Sequence, residues 1–114
     1  MPRRDWRLRV ADILAAVERI ARYTAGLDRA TFERDERTVE AVCFALVVIG
    51  EAASHVPDDV QATAPQIPWR KMKAMRNIAA HEYFGIDVTT VWQTAAADVP
   101  ALKPLLEALV ASAE

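Results

Sequence analysis

Apolar residues recur at three- and four-residue steps along most of this chain, the period of helices that bury one face. Val10, Ile13, Leu14, Val17, Ile20, Ala21 and Thr24 form the first such stripe, predicting a helix from about Trp6 to Ala25. Its other side carries Arg7, Arg9, Asp12, Glu18, Arg19 and Arg22, a solvated face. Gly26 sits where a left-handed residue ends a helix. Thr31 to Arg34 can make one short turn before Asp35, an N-cap residue, opens a second long helix. There Val39, Val42, Cys43, Leu46, Ile49, Gly50 and Ala53 share a side. That helix is apolar over much of its circumference, which predicts burial on more than one side. Gly50 and Ala53 would admit another backbone.

The second long helix should stop at Val56-Pro57, with His55 as a polar residue at its end. Pro57 to Ala64 predicts a short helix, and Pro65-Gln66-Ile67-Pro68 a connector whose last proline is suited to the first position of the next helix. In that helix Trp69, Met72, Met75 and Ile78 mark the packing side, with Lys71, Lys73 and Arg76 away from it. Gly85 is a plausible stop. Asp87 reads as an N-cap for a helix through Val88, Val91, Trp92 and Ala95, and Val99-Pro100 should break or kink it. A last helix carries Leu102, Leu105, Leu106, Leu109 and Val110, with Pro104 near its first turn. The sum is an all-α, up-and-down bundle of four main helices plus short ones, a single domain over residues 1–114.

Composition narrows the functions open to such a bundle. The chain has 53% hydrophobic residues and three glycines, and its 14 basic side chains against 16 acidic give a formal charge of −2. A chain of that balance is no general polyanion binder, so contact with nucleic acid must come from a local patch. The single cysteine, Cys43, lies in an apolar run and reads as core packing. No cysteine and histidine cluster has metal-ligand spacing, and neither a metal nor a cofactor is expected. The longest apolar run, Ala41 to Gly50, is too short to span a bilayer. With no cleavable-signal pattern at the start, the expected location is the cytoplasm.

One stretch concentrates reactive chemistry: Arg76-Asn77-Ile78-Ala79-Ala80-His81-Glu82-Tyr83, preceded by Arg70, Lys71 and Lys73. Arginine offers a permanent planar cation for phosphate oxygens, and histidine a proton donor or acceptor near neutral pH. At about 100° per residue an unbroken helix sets His81 roughly 140° around from Arg76, so the two cannot share one straight face. Either the helix ends near His81, or a second copy of the chain completes the site. The plainer alternative makes Arg76 a surface charge and His81 a polar residue at a helix end.

The ordered set of residues also resembles a known family. Arg76-Asn77, His81 and Tyr83 are similar to the Arg-x4-His-x-Tyr signature of HepT-like proteins in the HEPN superfamily. Arg19-Ile20, Tyr23-Thr24, Gly26-Leu27, Ile49-Gly50-Glu51-Ala52, Ile67-Pro68-Trp69, Tyr83-Phe84-Gly85 and Val91-Trp92 extend the likeness over essentially the whole chain. The resemblance implies a helical homodimer whose two motifs meet at a shared cleft. It further implies a metal-independent endoribonuclease, the toxin of a toxin–antitoxin pair, with Arg76 and His81 catalytic and Asn77 and Tyr83 supporting. The implied partner is an MntA-like minimal nucleotidyltransferase that silences the toxin by transferring AMP to Tyr83. Two positions depart from the pattern: Glu82 stands where many relatives have glycine, and Ala79-Ala80 replaces bulkier residues. The alternative is a non-catalytic HEPN subunit that docks a nucleotidyltransferase or nucleotides.

Overall fold

A computed structural model describes residues 5–83 and 87–113, the side chains of residues 79–83 apart. Seven α-helices follow in order among them: α1 (Trp6–Thr24), α2 (Arg29–Arg34), α3 (Glu36–Ser54), α4 (Asp58–Ala62), α5 (Trp69–Tyr83), α6 (Val88–Gln93) and α7 (Val99–Ser112). The described residues contain no strand. The fold is therefore all-α, as the apolar periodicity predicts.

Helix starts follow from local hydrogen bonding. Asp5, Asp28, Asp35 and Asp87 each accept a backbone N–H two or three residues on, satisfying a donor that the first turn leaves unpaired. The cap at Asp28 makes α2 a longer element than the single turn expected from Thr31. Gly26 takes φ 76° directly after α1, a left-handed turn that a side chain would resist. Trp69 closes the connector before α5 by donating its indole N–H to the Ala64 carbonyl at 3.1 Å.

Proline at position 100 does not break the chain's last long helix. α6 runs into a π-helical turn, Thr94–Asp98, and on into α7 without a gap. Within that turn the Val99 N–H reaches back to the Thr94 carbonyl. The wider turn accommodates the missing N–H of Pro100, and the burial of Thr94, Ala95 and Val99 holds the segment on the core. Thr94, the buried polar residue here, satisfies its hydroxyl on the Thr90 carbonyl at 2.8 Å.

Four long helices thus make the bundle: α1, α3, α5 and the α6–α7 run. α1 and α7 are antiparallel, since Arg7 reaches the Ala113 carbonyl at 3.1 Å and Glu18 pairs with Lys103 at 2.8 Å. α3 lies between α1 and α5. Its N-terminal neighbour α2 holds α6 through Phe32 stacked on Trp92 and Thr89 bonded to Glu33. α6 follows α5 in the chain, so α5 runs antiparallel to α3. Ile13, Ile20, Leu46, Ile49, Met72, Met75, Leu102 and Leu106 fill the centre. Truncating a large apolar residue in so closed a core costs roughly 2–5 kcal/mol. Cys43 is buried there, outside any disulfide. The expected burial of α3 is incomplete on one side, where Phe44 and Val47 remain exposed. No described helix is long and apolar enough to cross a membrane.

Candidate active site

The approach of α5 to α3 fixes the position of Arg76. The two helices crowd at Gly50, where an added Cβ would collide with Arg76 Cγ and lie 3.1 Å from the Arg76 backbone N and 3.2 Å from the Lys73 carbonyl oxygen. A side chain at that crossing would force Arg76 or the helices to shift. Beside it, Arg76 Nη1 donates to Glu51 Oε1 at 2.8 Å. The pair is about half exposed, 43% for the arginine side chain and 52% for the glutamate. Such exposure makes it a weak contributor to stability. Its consequence is orientation: one edge of the guanidinium is fixed to α3. A guanidinium has five N–H donors in all, so the group can still serve a phosphate.

The Arg76 hydrogen bond is the first cause that lowers the Glu51 pKa below its ordinary 4.5, followed by the Arg76 charge and those of His55 and Arg9. Glu51 is therefore a carboxylate at neutral pH. His55, expected as a polar residue at a helix end, does serve that purpose. Its Nδ1 donates to the Glu51 carbonyl at 2.8 Å, and the Ser54 hydroxyl donates to the same oxygen at 2.7 Å.

Of the basic residues before the motif, Lys71 pairs with Asp98 at 3.7 Å and Lys73 donates to the Gln61 side chain at 3.3 Å. Arg70, Arg76 and Asn77 are exposed. α5 continues through His81 to Tyr83, so Arg76, Asn77, His81 and Tyr83 ride on one helix. Phe84, Gly85 and Ile86, including the expected stop at Gly85, lie outside the described residues. The side chains of His81, Glu82 and Tyr83 do so as well. Among the described residues no three His, Cys, Asp or Glu side chains gather as a metal site would require. Glu51 is the residue whose role sequence reasoning missed. It appeared only as part of the Ile49–Ala52 likeness, because its pairing with a residue 25 positions away depends on how two helices cross.

Comparison with known proteins adds to this geometry. The family model described as "Ribonuclease HepT-like" matches residues 13–109. A protein of Thermococcus cleftensis named "Probable ribonuclease HepT" is 42% identical over 98 residues, covering 86% of this chain and 89% of the relative. Two proteins of Methanocaldococcus jannaschii, each named "Putative RNase", are 35% and 34% identical over 114 residues, with 98% and 94% of their own lengths covered. No solved structure matches the chain significantly.

Proposed function

Because this chain belongs to the ribonuclease HepT-like family, we propose that it is a metal-independent endoribonuclease, acts as a homodimer and is the toxin of a toxin–antitoxin pair. The observation that carries the reading is Arg76 on α5, exposed yet tethered to Glu51, on the helix that also bears His81. RNA contains its own nucleophile, so cleavage needs no metal-bound water. His81 takes the proton from a ribose 2′-hydroxyl as its oxygen attacks the adjacent phosphorus. The bond from phosphorus to the 5′-oxygen breaks, and that oxygen receives a proton from a protonated histidine, supplied by the second copy. A 2′,3′-cyclic phosphate and a 5′-hydroxyl result. Arg76 stabilises the charge that builds on the non-bridging oxygens, and Asn77 supports the arginine beside it.

Regulation falls to Tyr83. A minimal nucleotidyltransferase joins the tyrosine oxygen to the α-phosphorus of ATP, with loss of the hydroxyl proton and departure of pyrophosphate. The added phosphodiester puts negative charge on the helix that bears Arg76, and at short range in a partly desolvated cleft it repels RNA. The cytoplasm supplies both RNA and ATP.

The test is cleavage of labelled RNA by the purified chain in chelator. Cleavage that Arg76→Ala and His81→Ala each abolish supports the reading. Absence of cleavage, with the nucleotidyltransferase still bound, would favour a docking subunit instead.

A further inference from the structure

The outward stripe of α3 is unusual for a helix otherwise enclosed in the bundle. Phe44 is 68% exposed and Val47 36%, while Val42, Cys43, Leu46 and Ile49 on the inner side are buried. The stripe runs Arg37, Ala41, Phe44, Val47, Glu51 in steps of three and four, the spacing of a helix–helix seam. Arg37 and Glu51 are also exposed, as is Glu40 beside Ala41, so the apolar pair Phe44 and Val47 lies between a basic residue seven positions before Phe44 and an acidic one seven after it.

That arrangement is self-complementary. Arg37 stands seven residues before Phe44 and Glu51 seven after it. When two copies of α3 cross antiparallel about a two-fold axis at Phe44, Phe44 meets its own copy and Ala41 meets Val47. Each Arg37 then meets the other copy's Glu51, at about 10 Å along the helix from the axis. Both charged pairs form at once, which a closed two-fold interface requires. We propose that this stripe is where a second copy of the chain docks, with Phe44 on the axis. The inference rests on the homodimer of the proposed function and names its surface.

The position of α5 agrees with this axis. α5 is antiparallel to α3 and crosses it where Arg76 meets Gly50. Moving about five residues on along α5 and the same number back along α3 sets the backbone at His81 near the level of Phe44. Docking at Phe44 therefore brings the two motif-bearing helices to either side of one axis. It also gives Glu51 a second arginine. The carboxylate that holds Arg76 within its own chain meets Arg37 of the other, so association and the orientation of Arg76 are linked.

Two charge variants test the register. In Arg37→Glu, both junctions of a self-pair hold two glutamates; in Glu51→Arg, both hold two arginines. Each variant alone should dissociate at least about tenfold more readily than wild type. Mixed one to one, each glutamate faces an arginine at both junctions, and a heterodimer should form with near wild-type affinity. Phe44→Glu should weaken association at least about thirtyfold. Sedimentation velocity reads the mass, and circular dichroism confirms that each variant stays helical. A wild-type dimer indifferent to Phe44→Glu, or variants that fail to rescue each other, would overturn this surface while leaving the homodimer standing. A monomeric wild type at micromolar concentration would remove the homodimer itself, and a dimer that cleaves no RNA would remove only the ribonuclease.

Discussion

Arg76 and Glu51, 25 residues apart in the chain, are joined at 2.8 Å across the α3–α5 crossing. That bond makes Glu51 a positioning residue for Arg76, the cation proposed to hold the RNA phosphate. Glu51→Ala releases one edge of the guanidinium and should lower kcat for RNA cleavage about tenfold with little change in KM, the signature of lost transition-state alignment. Glu51→Gln keeps a neutral acceptor in place and should recover most of the loss. Single-turnover cleavage measures both, and an alanine variant as fast as wild type would exclude the role.

Gly50→Ala sets two effects in opposition. Alanine favours a helix interior by about 0.8–1.0 kcal/mol over glycine. Against this, its Cβ collides with Arg76 Cγ, close to the α5 backbone rather than at a flexible tip, and presses on the Lys73 carbonyl. Overpacking of that kind costs about 1–3 kcal/mol. The expected net is a loss of stability of about 1 kcal/mol, measured by urea denaturation, together with reduced cleavage because Arg76 moves. A more stable, fully active variant would show that the helices can part without consequence.

Acid should destabilise the fold through five carboxylates. Hydrogen bonds from threonines hold Asp28, Asp35 and Asp87 below their ordinary 3.8, and Lys103 and Arg76 hold Glu18 and Glu51 below 4.5. A group whose pKa is depressed on folding stabilises above its unfolded pKa and loses that contribution as pH falls through the folded one. Stability from these groups should therefore be level above about pH 5 and decline below pH 4.5, then further below 3.8. Asp87→Asn should flatten part of the decline, read from urea midpoints between pH 7 and 3. Lys103 has the opposite sign: Glu18 raises it above 10.5, so its contribution fades only as pH rises past that value.

Catalysis and silencing separate by substitution. Arg76→Ala and His81→Ala should abolish cleavage without loss of helicity, and chelator should have no effect. Glu82→Gly should raise activity if that carboxylate faces the cleft. A requirement for magnesium, or cleavage that survives loss of His81, would refute the mechanism.

Tyr83→Phe retains the ring and removes the acceptor oxygen. It should fold and cleave as wild type does yet resist the nucleotidyltransferase, whereas wild type with ATP should gain the mass of one AMP, located by peptide sequencing. AMP on another residue, or full silencing of the phenylalanine variant, would exclude Tyr83.

The sequence by itself determined what depends on residues within about a turn of one another. Apolar steps of three and four marked α1, α3, α5 and α7, and Asp35, Asp87 and Gly26 marked the starts of α3 and α6 and the end of α1, because capping and left-handed turns are satisfied by neighbours in the chain. The run from Arg76 to Tyr83 was legible for the same reason. Only the tertiary structure decided what joins distant segments. Pro100 marked a break or a kink, and packing of Thr94, Ala95 and Val99 keeps the helix continuous through a π turn. The apolar circumference of α3 predicted burial on more than one side, and the exposure of Phe44 emerges only once α1 and α5 occupy its flanks. Glu51 could be placed beside Arg76 only by the crossing at Gly50, since helical periodicity assigns a residue to a face but not the face to a partner.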